Sequence, residues 1–109
     1  MFYVYILYSP AFDKYYVGYT DDPERRLEEH NSNPKMTYTH KFRPWKLVQY
    51  FQVNQSRGDA LKMERFIKKM KSRAFIIRLL EEESLFYDMA KKLNVQLVRV
   101  LRNRNSSLT

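Results

Sequence analysis

Phe2-Tyr3-Val4-Tyr5-Ile6-Leu7-Tyr8 and Tyr15-Tyr16-Val17-Gly18-Tyr19-Thr20 are the two stretches that decide the fold. Both are β-branched or aromatic almost throughout, which predicts strands. Ser9-Pro10 ends the first, and the gap holding Pro10, Asp13 and Lys14 suits a hairpin with a longer loop. Asp21-Asp22-Pro23 then announces a helix over 23–30: an Asp cap, Pro at the first helical position and Glu24 in the first turn. Asn31-Ser32-Asn33-Pro34 closes it, and 35–45 reads as a polar, basic connection ending in Arg43-Pro44-Trp45. Leu47, Val48, Tyr50, Phe51 and Val53 make 46–53 a third strand. Ser56 can cap a helix over 57–71, with Ala60, Leu61, Met63, Phe66, Ile67 and Met70 at helical spacing. Lys71-Ser72-Arg73 is a joint before another helix over 73–80. Residues 85–93 fit a helix, 95–101 a strand, and 102–109 a frayed end. The order β-β-α-β-α-α predicts an α+β fold, a small three-stranded antiparallel sheet flanked by helices.

Around this frame, 109 residues give one domain. Aromatic residues at 16% argue against disorder along the whole chain. No apolar run approaches the ~18–20 residues of a membrane helix, and residues 1–8 lack the basic flank of a signal peptide. With no cysteine, disulfides, thiolate metal sites and cysteine nucleophiles are excluded, and a cytoplasmic location is expected. The net charge is +8, but it is uneven: residues 41–78 hold eleven basic residues against Asp59 and Glu64, a local +9, while the rest nets −1. Such concentration is the footprint of a polyanion partner. A solvated lysine-rich face is the plainer alternative.

Several residues stand out within the frame. Alternation puts Tyr16, Gly18 and Thr20 on one face of the second strand. A glycine inside a strand usually marks close approach by a ligand or another backbone, and a β-bulge or a tightly packed helix is the plainer alternative. Arg26 and His30, four apart, share a helix face that can take a phosphate or simply face water. Glu64 sits at the edge of its helix's apolar stripe, within about 60° of Ala60 and Ile67. A carboxylate there is costly unless it is paired or holds a cation. Lys68, one turn on, offers an ion pair, and only Asp59 is near enough in sequence to be a second acid, so a two-metal cluster is not expected.

In order, Val4-Tyr5-Ile6, Tyr16-Val17-Gly18, Thr20, Arg25-Arg26-Leu27, His30-Asn31, Tyr38-Thr39, Arg43-Pro44-Trp45 and Glu64 resemble the GIY-YIG nuclease domain. More closely, they resemble its small single-domain bacterial branch, similar to the N-terminal nuclease domain of the excision-repair incision enzyme. The resemblance covers about residues 1–80. It leaves 81–109 as a C-terminal extension expected to pack on, or trail from, the same domain. It implies hydrolysis of DNA phosphodiesters, on double-stranded or branched DNA, with one weakly bound Mg²⁺ or Mn²⁺. By resemblance, Tyr5, Tyr16, Arg26 and His30 are catalytic, Gly18 and Thr20 shape the site, and Glu64 is the metal ligand. Tyr5 and Tyr16 would position or deprotonate the attacking water, Arg26 would meet the phosphate oxygens, and His30 would move a proton or bind phosphate. Arg25, His40, Lys41, Arg43, Lys68, Lys71 and Arg73 are the expected nucleic-acid contacts. The chain departs from the pattern at Tyr3, in a glycine position, and at Ile76, in the region where some members carry an asparagine. A link to DNA repair and a protein partner that supplies specificity are part of this expectation. A noncatalytic nucleic-acid-binding module that keeps the fold is the alternative, with an interaction subunit of a larger complex a third.

Overall fold

In the computed structural model, which describes residues 1–98, the β-rich start folds as read. Strand β1 (Tyr3–Ser9) pairs antiparallel with β2 (Lys14–Thr20) on one side and with β3 (Lys46–Gln52) on the other. The sheet order is β2-β1-β3, with a register shift in the β1–β3 ladder at Ile6/Leu7. Asp13 turns the hairpin loop with a left-handed backbone.

Helix α1 (Pro23–Ser32) starts as its sequence predicts: the Asp22 side chain accepts from the Arg25 N–H at 3.1 Å, and Pro23 stands where no intrahelical N–H is needed. It runs two residues beyond the expected 30. A short helix α2 (Thr37–His40) lies inside the stretch read as connection. Helix α3 (Arg57–Met70) is capped by Ser56, and α4 (Arg73–Glu81) by Ser72. Helix α5 (Ser84–Lys92) occupies the region expected as a helix over 85–93.

The strand expected over 95–101 is not formed in 95–98, and 99–101 lie outside the described residues, as does the frayed end at 102–109. Val95 is buried and Leu97 packs on the core, so the apolar alternation is used. Among the described residues the backbone is tied at separate points, Val95 N–H to the Ala90 carbonyl, Val98 N–H to the Val53 carbonyl and the Asn54 side-chain amide to the Gln96 carbonyl.

The sheet divides the interior in two. Val4, Ile6, Val17 and Phe51 face α3, α4 and α5 in the larger core, with Ala60, Met63, Ile67, Leu79, Phe86 and Met89. Tyr5 and Leu7 face the opposite way with Trp45, against Tyr16, Leu27, Phe42 and Leu47.

Candidate active site

The second face is organised by one absent side chain. Tyr5 stands opposite Gly18 in the β1–β2 ladder. A Cβ at Gly18 would overlap the Tyr5 ring, 2.5 Å from its Cζ. The glycine is therefore needed for room. The space is taken neither by a bulge nor by a tightly packed helix, as the sequence suggested, but by the ring of the protein's own Tyr5.

So placed, the Tyr5 hydroxyl meets His30 Nε2 at 2.8 Å, and His30 Nδ1 meets Thr39 Oγ1 at 2.8 Å. The three side chains are buried. Their chain links β1, α1 and α2. Burial pushes the Tyr5 hydroxyl well above its ordinary pKa, with the Arg26 guanidinium opposing and the Tyr16 and Glu64 side chains reinforcing. His30 is pulled down to about 4, by burial first and then by the Arg26 and Arg43 cations. At neutral pH both groups are uncharged, and one O–H and one ring N–H suffice for the chain.

The 35–45 stretch that carries Thr39 is tightly fastened. Asn31 holds the Trp45 backbone from both sides, donating to its carbonyl at 3.0 Å and accepting from its N–H at 2.7 Å. The Trp45 indole N–H donates to the Thr39 carbonyl at 2.9 Å. Arg43 donates to the carbonyls of His30 and Asn33, both at 2.5 Å, and meets His40 Nδ1 at 2.6 Å. The sequence groups Arg43 with the nucleic-acid contacts, whereas in the fold its guanidinium is spent on this loop.

The open rim of the site is made of charges. Arg26 pairs with Glu29 at 2.8 Å and Arg25 with Asp21 at 2.8 Å. Glu64 is buried at 8% exposure and pairs with Lys68 at 3.2 Å. The Lys68 ammonium also lies 5.1 Å over the half-buried Tyr16 ring, whose centroid is 5.0 Å from that of His30 and 6.4 Å from that of Tyr5. A cavity of about 280 Å³ opens here, lined by Tyr16, Tyr38, Lys68, Lys71 and Ile76 among others. A second cleft of about 400 Å³ lies by Arg26, with Tyr19, Thr20, Arg25 and Arg57 in its walls. Thr20 is buried, and its Oγ1 accepts from the Asp22 N–H at 3.1 Å, fixing the entry to α1.

Tyr5, Tyr16, Gly18, Arg26, His30 and Glu64 thus gather around one spot beside β2. Lys68 and Lys71 border it, and Arg25 shares the cleft beside it. Lys41 is exposed and His40 is exposed on Arg43. Arg73 is engaged elsewhere: it donates to the Asp13 carbonyl at 2.9 Å and carboxylate at 2.5 Å, and lies 5.1 Å over the Tyr15 ring. Sequence reasoning gave no role to Thr39 or Arg57. Thr39 matters through a bond to a residue on another helix, which no local pattern announces. Arg57 carried a weak signal, a cation in the first turn of a helix, where the dipole disfavours it.

Among the described residues no three His, Cys, Asp or Glu side chains form a metal-binding group. A protein-built cage is therefore absent from that part of the chain. Glu64, a single carboxylate whose ion-pair partner Lys68 lines the smaller cavity, fits a hard cation that keeps most of its waters.

Comparison with known proteins shows the family of the chain. A family model described as the GIY-YIG catalytic domain matches residues 1–75. The chain belongs to the GIY-YIG family. It is 39% identical over 75 residues to a UPF0213 protein of Listeria monocytogenes serovar 1/2a, covering 66% of this chain and 81% of the relative. It is 41% identical over 66 residues to a UPF0213 protein of Haloquadratum walsbyi, covering 61% and 72%. It is also 39% identical over 74 residues to the structure-specific endonuclease subunit SLX1 of Meyerozyma guilliermondii, covering 63% of this chain and 25% of that protein. The GIY-YIG domain supports an endonuclease, and the three-stranded α+β fold agrees with it. No helix among the described residues is long and apolar enough to cross a membrane.

Proposed function

We propose that this GIY-YIG protein is a DNA endonuclease that uses one weakly held Mg²⁺ or Mn²⁺ at Glu64. The observation that carries the reading is the convergence of the neutral Tyr5–His30 pair with Arg26, Tyr16 and Glu64. When bound, the cation supplies Lewis-acid neutralisation of charge on the phosphate. Arg26 turns its planar fork to the non-bridging oxygens, with Glu29 anchoring one nitrogen. Tyr16, half-buried on the rim, is our choice of the tyrosine that meets the attacking water. Tyr5 is enclosed and held in its protonated form, so its part is to orient, with His30, what lies above it. With a cation held at Glu64, Lys68 would be free to pair with phosphate.

The SLX1 relative is named as a structure-specific endonuclease subunit. By that likeness we propose branched DNA as substrate, in repair or recombination in the cytoplasm, with a partner protein adding specificity. The noncatalytic binding module is favoured by one observation: Glu64 already has a partner in Lys68. A panel of plasmid, branched, flap and single-stranded DNA, with Mg²⁺, Mn²⁺ or EDTA, separates the two. Cleavage that needs the divalent ion supports the enzyme. Cleavage that survives EDTA removes the metal from the mechanism, and no cleavage of any substrate leaves the binding module.

A further inference from the structure

Two large rings stand half in water at the edge of the smaller core. Phe12, in the β1–β2 loop, is 49% exposed, and Tyr38, on α2, is 55% exposed. Neither belongs to the buried core, so a contiguous exposed aromatic surface here points to a use. The rings are not isolated. Phe12 meets Phe42 at 5.3 Å between centroids, Phe42 meets Tyr38 at 5.4 Å, and Tyr38 meets Tyr16 at 6.2 Å. The row therefore runs from the hairpin tip into the candidate active site, where Tyr16 adjoins His30.

Cations flank it along its length. The Lys14 ammonium lies 5.0 Å over Phe42, that of Lys68 5.1 Å over Tyr16, and Lys71 shares a cavity wall with Tyr38. Among the described residues neither Lys14 nor Lys71 has an acidic partner within ion-pair distance. The acid nearest the start of the row, Asp13, is neutralised by Arg73 at 2.5 Å.

We propose that Phe12, Phe42, Tyr38 and Tyr16 form a stacking track for an unpaired DNA strand that leads into the site. The chemistry selects this occupant. Rings offer their faces to bases, and only an unpaired strand has base faces to give, since a duplex stacks its own. The flanking ammonium groups match the phosphates of such a strand. The inference rests on the nuclease reading only for what happens at the end of the track. It sharpens the substrate to DNA in which an unpaired arm lies beside the bond to be cut.

The test is equilibrium binding in EDTA, so that cleavage plays no part. An oligothymidine of roughly 12 nucleotides, within the usual site size of single-strand binders, is compared with a blunt duplex of the same length. In the full chain, Phe12→Ala combined with Tyr38→Ala should weaken single-strand binding about ten-fold or more, at the ~1–3 kcal/mol a stacked base is worth, and leave duplex binding unchanged. Tyr38→Trp alone, which keeps a stacking face, should bind the single strand about as tightly as wild type does. Both rings are exposed, so the melt of the double variant should match wild type. Unchanged single-strand affinity, or an equal loss on duplex, overturns the track. A wild type that binds single strands through these rings yet never cuts would sink the nuclease and keep the track. A wild type that cuts while the double variant binds normally would do the reverse.

Discussion

On one face of the sheet Val4, Ile6, Val17 and Phe51 meet three helices through apolar contacts, with the Phe51 and Phe86 rings stacked at 4.2 Å and 7°. On the other, Tyr5 meets two helices through hydrogen bonds to His30 and onward to Thr39, and the apolar cluster beneath has only Tyr5, Leu7 and Trp45 fully buried. The first face gains stability from area removed from water, and tolerates exchange among residues of like volume. The second satisfies buried polar groups one by one, and loses most when one partner is missing. This division puts the candidate site where geometry is fixed by directional bonds and leaves stability to the opposite side.

The widest separation of the two should come from Glu64 and Phe86. Glu64→Gln keeps the shape of a buried side chain and removes only its charge. Cleavage in a single-turnover assay should be abolished, with DNA binding unchanged or slightly tighter. The melt should move little, because the ion pair to half-exposed Lys68 is worth ~1 kcal/mol or less. Phe86→Ala should do the opposite: about 3–5 kcal/mol of stability lost in denaturant unfolding, with the folded fraction still active. Full activity in Glu64→Gln would end the metal assignment. A Phe86→Ala protein that is stable but inactive would end the division itself.

How much of this was legible in the sequence follows the same line. The β1 and β2 runs, the Asp22-Pro23 start of α1, the Ser56 cap of α3 and the Glu64–Lys68 pairing are local signals, and they stand close to where the residues put them. What stayed hidden depends on distance along the chain. Helix α2 has no side-chain cap, and its place is held by the Trp45 indole bonded to Thr39. Arg43 reads as one more surface cation until the two carbonyls it serves are brought beside it. The residues after α5 alternate like a strand because alternate side chains are buried, yet no ladder forms in 95–98.

A smaller effect should expose the cost of the polar face. His30 takes its proton near 6.5 when unfolded but only near about 4 when folded. The unfolded chain therefore binds more protons between those values. The contribution is complete above pH 6.5 and is lost as pH falls toward 4, by roughly 2–3 kcal/mol. Melts from pH 8 down to 4 should show the decline, and His30→Gln should flatten that part of the curve. An unchanged slope in His30→Gln would assign the decline to other groups and make the polar face no more acid-sensitive than the apolar one.

Arg26 carries the finest test, because it stands where the buried chain gives way to the rim. Its side chain is about a third exposed and paired with Glu29, so as a structural ion pair it is worth ~1 kcal/mol or less. Arg26→Lys keeps the charge, can still reach Glu29, and loses the planar fork that grips two phosphate oxygens at once. If Arg26 serves the transition state, cleavage should slow by about ten-fold, equivalent to ~1.4 kcal/mol, while DNA affinity in EDTA and the melt stay near wild type. If it only attracts DNA, Arg26→Lys should bind and cut almost as wild type does. A parallel fall in binding and cleavage would instead make the guanidinium a phosphate contact of the ground state. Single-turnover rates at saturating enzyme, beside the EDTA binding curve, separate the three. Only the first outcome joins Arg26 to the directional geometry that Tyr5 and His30 hold beneath it.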